Sequence, residues 1–176
     1  MTSTVTVNAA GEGIFVLRGR PAADGYDFTD SIAAVVSAAE RLRFHFIPAD
    51  LYSDLRFLQS TGLANCQSAA LHLCQVAAEH GLAARPAMGL FVSVPFSVRH
   101  VWLEIAADGA WRPADPFFLK TLAEWDVIGA QDCPLSRSPG FPLLRLAASA
   151  LRDLPLILHN GDPAPLETSL FTAAAG

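Results

Sequence analysis

Apolar and polar positions alternate with two different periods along this chain. Short runs at residues 4–7 and 13–17 suit strands, with Gly11 and Gly13 at the turn between them. Ile32, Val35, Val36 and Ala39 recur at spacings of three and four, which predicts a helix over residues 31 to about 43 with Asp30 as its N-cap. Leu51, Leu55 and Leu58 predict a further helical stretch that breaks at Thr61-Gly62. Ala69, Ala70, Leu73, Val76 and Ala77 form a narrow stripe of mostly small residues. They predict a helix from Cys66 to about His80, opened by the Asn65 side chain and stopped by Gly81. Two strand runs follow, residues 88–94 and 99–105. In the second, Arg99, Val101, Leu103 and Ile105 point one way and His100, Trp102 and Glu104 the other. Asp108-Gly109 is a hairpin turn signal, and a third strand over residues 110 to about 115 ends at Pro116. Leu143, Leu144, Ala147, Ala150, Leu151 and Leu154 have helical spacing. Residues 156–158 suit a last short strand, and the terminal FTAAAG is expected to fray.

Composition narrows the classes. Of 176 residues, 52% are hydrophobic and only 16% charged, which excludes a disordered chain. A chain of this length buries roughly 70% of its unfolded surface, so it needs no metal or disulfide staple. Twelve basic against seventeen acidic residues give a net charge of −5 without basic clusters, against nucleic acid or anionic lipid as partners. The three cysteines, Cys66, Cys74 and Cys133, are too few for a disulfide framework and contain no paired zinc spacing. No signal-peptide pattern or membrane-length apolar run is evident. The expectation is a cytoplasmic protein with no metal, no organic cofactor and no membrane partner. Its oligomeric state is not encoded in the pattern.

The candidate chemistry lies in the middle of the chain. Cys66 opens a helix, where the unpaired N–H groups and the macrodipole favour a thiolate, the competent nucleophile. His100 and Asp115 lie on neighbouring strands of one hairpin. With Ala106 opposite Gly109, His100 would face Asp115 directly. With Asp108-Gly109 as the two central turn residues, Asp115 falls opposite Trp102 and becomes a diagonal neighbour of His100. Either register lets a carboxylate orient the imidazole, as in a catalytic triad. The Cys66 backbone N–H is one oxyanion donor, and Gln59, Asn65 and Gln67 compete for the second. Cys74 is expected in the core, Trp102 and Trp111 chiefly in packing with Trp102 also a candidate substrate-binding residue, Arg85 as a structural anchor and His80 as a helix C-terminal cation.

NCQSAALHLCQVAAEHGLAARPAMG, followed by HVWLE and WRPADP, resembles the transglutaminase-like superfamily of papain-fold cysteine enzymes. The family order is a Cys opening a helix, Gly-x-x-Ala-Arg, His-x-Trp-x-Glu, then Trp and Asp-Pro. It falls on Cys66, on Gly81, Ala84 and Arg85, on His100, Trp102 and Glu104, and on Trp111, Asp115 and Pro116. The chain departs at Ala64, where the family often has Gly, and its last 50 or so residues match no part of the pattern. PFSVRHVWLE is also similar to the leader peptidases of lasso-peptide biosynthesis.

The resemblance implies a single domain over residues 1–176 with its core at about 50–120. The implied fold is α+β and papain-like, with the Cys66 helix packed on an antiparallel sheet that bears His100 and Asp115. It implies acyl transfer or hydrolysis at a peptide, amide or acyl-thioester substrate through a thioester on Cys66. A peptidase maturing a peptide natural product and a non-catalytic binding module on the same fold are the rivals.

Overall fold

The structure is a computed structural model. It describes residues 3–8, 14–21, 26–91, 96–129, 131, 134–138, 143–147, 157–159, 162–164 and 170–171. The expected turn at Gly11 and Gly13, the end of the 88–94 run, Cys133 and the terminal FTAAAG all lie outside the described residues, apart from Phe171. In chain order the elements are β1 (Ser3–Asn8), β2 (Ile14–Pro21), α1 (Ala33–Glu40), β3 (Arg43–Phe44), α2 (Leu55–Thr61), β4 (Leu63–Ala64), α3 (Cys66–Glu79) and β5 (Ala84–Phe91). After them come β6 (Phe96–Ala107), β7 (Ala110–Ala114), α4 (Pro116–Glu124), β8 (Leu143–Ala147), β9 (Ile157–His159), β10 (Asp162–Ala164) and β11 (Leu170–Phe171). Helices and antiparallel strands make this a mixed α+β chain.

Contacts divide the chain into two compact units. One comprises Met1–Ala22, Ala87–Val101 and Phe141–Gly176, the other Ala23–Pro86 and Trp102–Gly140. The described residues of the first lie in strands. β1 pairs antiparallel with β2 from Ser3↔Gly19 to Asn8↔Ile14. β2 also pairs with β9 and with β8, and β8 pairs with β5 across a register shift between Met88 and Gly89. β11 pairs with the start of β6 through Leu170↔Ser97 and Phe171↔Phe96. Residues 143–147 are therefore strand, not the helix their spacing predicts. Two adjacent leucines fit either period, and β2 and β5 supply ladder partners on both sides, so pairing overrides local pattern. The rest of that expected helix, residues 148–154, lies outside the described residues.

The second unit holds the four α-helices of the described residues. A 3-10 turn over Thr29–Ile32 precedes α1, and Asp30 lies inside it instead of capping the helix. That turn lets Phe28 and Ile32 both enter the core. A second 3-10 turn, Ala49–Leu51, stands apart from α2, whose cap is Asp54, accepting from the backbone N–H groups of Arg56 and Phe57 at 3.0 Å. Gly62 ends α2 with φ +70°, and its carbonyl accepts from the Arg43 N–H, setting β3 parallel to β4. The core joins Ile32, Val35, Ala38 and Ala39, Leu58, Ala69, Leu73 and Ala77, Leu103 and Ile105, Ala114 and Phe117. The apolar faces predicted for residues 31–43 and 66–80 are thus the faces that pack, together with β6 and β7.

The hairpin between β6 and β7 follows the second register. Ala107 pairs with Ala110 and Leu103 with Ala114, so Asp108 and Gly109 are the two central turn residues. Both have positive φ, 50° and 71°, as a type I′ turn requires. α4 is an element that the pattern of apolar positions does not predict. Asp115 caps it, Pro116 takes its first position, and Phe117, Phe118 and Leu122 are buried from it. Lys120 Nζ ties α4 to the rest of the unit by donating to the Leu42 carbonyl at 2.7 Å.

Candidate active site

Asn65 has extended backbone, and its Oδ1 accepts from the Ser68 N–H at 2.9 Å. Ser68 Oγ in turn accepts from the Asn65 N–H at 3.1 Å, closing a capping box. Asn65 thereby acts as the helix cap, and Cys66 becomes the first residue of a 14-residue helix. Its half-buried side chain sits beside the positive end of the helix macrodipole. Gln67, the next residue, is buried. Cys74, eight residues on, stands in contrast. Burial pushes its thiol up to about 12, so it stays protonated at neutral pH. Neither cysteine is in a disulfide.

On β6, Val101, Trp102, Leu103, Glu104 and Ile105 are all buried, so both faces of this strand are covered. Leu103 and Ile105 belong to the core shared with α1 and α3. Trp102 and Glu104 occupy the alternate face. Trp111 and Pro113 of β7 stand on that face by register, and Asp115 falls level with Trp102 when the ladder is continued one step past Leu103↔Ala114. His100 precedes Trp102 by two residues on the same strand. It is buried, and its ring meets Phe91 edge-on at 6.1 Å.

Asp115 has a structural duty as well as a candidate chemical one. Its Oδ1 accepts from the Phe118 N–H at 3.4 Å as the cap of α4. A carboxylate has about four acceptor sites on two oxygens, so capping does not exhaust it. The sequence signal for this cap is Asp-Pro followed by the apolar positions 117, 118 and 122.

Arg85 and Glu104 form an ion pair from Arg85 Nη2 to Glu104 Oε2 at 2.8 Å, with Nε on the same oxygen at 2.9 Å. The guanidinium also lies 4.1 Å from the centre of the Trp111 ring. Trp111 is 40% exposed, so it is a lid on Arg85 and not the core residue expected of it. This cluster braces the strands that carry the candidate residues. Gln59 is exposed and lines a pocket with His72, Glu79 and His80. His80 Nδ1 donates to the Val76 carbonyl at 3.0 Å, in the last turn of α3.

No group of three or more His, Cys, Asp or Glu among the described residues could hold a metal ion. No helix of the described residues is long and apolar enough to cross a membrane. Comparison with protein-family models, with curated proteins and with solved structures finds no match for this chain.

Proposed function

We propose that this protein is a cysteine-dependent enzyme of transglutaminase-like, papain-fold type, acting on a peptide-like amide or an acyl thioester. The observation that carries the proposal is the position of Cys66 as the first residue of α3 behind the Asn65–Ser68 capping box. A thiol there is activated by the helix dipole, and a thiolate is the attacking species. His100 takes the thiol proton, and Cys66 Sγ attacks the acyl carbon. The oxyanion is received by the Cys66 backbone N–H, and His100 returns the proton to the leaving group. Water or an amine then releases the acyl group from Cys66. Asp115 holds the imidazole tautomer and offsets its charge. Support for His100 and Asp115 comes from the hairpin register and from the order of the submotifs around them.

The test is labelling of the native protein with a peptide-like, thiol-directed acyl probe, followed by mass mapping. Labelling at Cys66 that His100→Ala abolishes is the expected result. A protein that labels no faster at Cys66 than at Cys74 is a binding module and not an enzyme.

A further inference from the structure

Two aromatic rings of the second unit stand out in water, Phe46 at 88% exposure and Trp125 at 52%. They are the outer members of one cluster. Half-buried Phe44 meets Phe46 edge-on at 5.4 Å and Trp125 edge-on at 5.1 Å, and it stacks on the buried Phe117 at 6.2 Å. The inner half of the cluster serves the core, while the outer half presents apolar surface to the outside.

The ladder of β3 and β4 fixes where that surface lies. Phe44 pairs with Ala64, and the His45 N–H donates to the Ala64 carbonyl at 2.8 Å. Phe46 comes one residue after His45, and Cys66 two after Ala64. Ladder partners share a face and alternate residues return to it, so Phe44, Phe46 and Ala64 stand on one face, with Arg43 and His45 on the other. Asn65 keeps an extended backbone, so the alternation runs on and Cys66 leaves the chain on the face of Ala64. The exposed rings therefore border the opening of α3.

We propose that Phe46 and Trp125 are specificity-determining residues, which receive an apolar side chain of the peptide-like substrate beside the acyl group that Cys66 attacks. The inference rests on Cys66 as the nucleophile and adds the substrate class to that reading. An aromatic or leucyl side chain leaves water against these rings, and the gain falls on the substrate because whatever sits on Phe46 stands next to α3's first residue. A glycyl residue has no side chain to bury there. Asp126, exposed next to Trp125, disfavours an acidic one. Phe46 has most of its surface in water, so the fold gains little from its size, and its replacement reads binding with little loss of stability.

The experiment treats the full chain with the N-acetyl phenylalanyl, leucyl, glycyl and aspartyl chloromethyl ketones, with iodoacetamide as a reference that carries no side chain. Cys66 Sγ bonds to the methylene carbon and the halide leaves, and mass mapping gives the rate at Cys66, corrected for each probe's reaction with glutathione. The phenylalanyl and leucyl probes are expected to react about 10-fold faster than the glycyl probe, and the aspartyl probe slowest. Phe46→Ala should lower the phenylalanyl-to-iodoacetamide ratio about 10-fold, Trp125→Ala should lower it as well, and Phe46→Leu should keep most of it. A far-UV spectrum of each variant separates lost preference from lost folding. Equal rates for the four ketones, or an unchanged ratio in a folded Phe46→Ala or Trp125→Ala, overturn the proposal while fast iodoacetamide labelling leaves the reading of Cys66 standing. Iodoacetamide labelling no faster at Cys66 than at Cys74 overturns both. Sedimentation of a dimer that Phe46→Ala dissolves also overturns the proposal and gives the surface to a second copy of the chain.

Discussion

Arg85 and Glu104 meet at 2.8 Å while Arg85 lies under the Trp111 ring, so one guanidinium couples β5, β6 and β7. Glu104 is buried and Arg85 about a third exposed, so removing the cation takes away a charge that offsets a carboxylate in a poorly solvated place. Arg85→Ala is expected to cost about 1.5–3 kcal/mol in urea unfolding. The double variant Arg85→Met, Glu104→Leu should recover part of that loss. A double variant that unfolds as easily as the sum of the single ones would show that the pair is not coupled.

Cys66 and Cys74 share a helix and differ in setting. Iodoacetamide at pH 6–7 is expected to alkylate Cys66 well before Cys74, whose buried thiol stays protonated. Mass mapping of a time course reads this directly, and equal rates would remove the premise of an activated nucleophile.

Asp115 can be tested for its two duties separately. Asn is as good an N-cap as Asp, so Asp115→Asn should leave the melting temperature near wild type while lowering turnover. Asp115→Ala removes the cap as well and should cost about 1 kcal/mol in addition. If Asp115→Asn turns over at the wild-type rate, the carboxylate serves α4 alone.

The turn of the β6–β7 hairpin demands positive φ at both central residues. A Cβ at Gly109 meets nothing within 4 Å, so any penalty there comes from the backbone and not from crowding. Gly109→Val should destabilise by about 1–3 kcal/mol and Gly109→Asn by much less. Activity of Gly109→Val should fall further than its folded fraction, because a slip of one residue turns His100 to the other face. Thermal unfolding and turnover measured on both variants decide it.

His72 predicts a pH dependence of stability. Its folded value is lowered, chiefly by burial, so the folded state resists the proton that the unfolded state accepts at about 6.5. The unfolded chain binds more protons in that window, and stability falls as pH drops through 6.5 toward the folded value. His72→Gln should flatten the urea midpoint between pH 7.5 and about 5. An unchanged slope would assign the acid sensitivity elsewhere.

The central helix is legible in the amino-acid sequence because its signals are local. Asn65, the small-residue stripe and Gly81 define its start, face and stop, and each acts within a few residues of backbone. The hairpin is legible only to a choice of two registers, since Asp108-Gly109 fits both, and the ladder from Leu103↔Ala114 to Ala107↔Ala110 makes the choice. Residues 143–147 show the opposite case. Their spacing favours a helix, yet the backbone groups find partners on β2 and β5, and a local pattern carries no information about distant strands. α4 is hidden because Asp-Pro reads equally as a turn opener or as a cap with proline at the first helical position. The order Cys66, His100, Asp115 is a property of the sequence alone. The tertiary structure decides what no spacing encodes: the brace of Arg85 on Glu104 and Trp111, and the pocket lined from α1, α2 and α3 with His72 among its residues. Both join segments far apart in the chain, where only packing sets who meets whom.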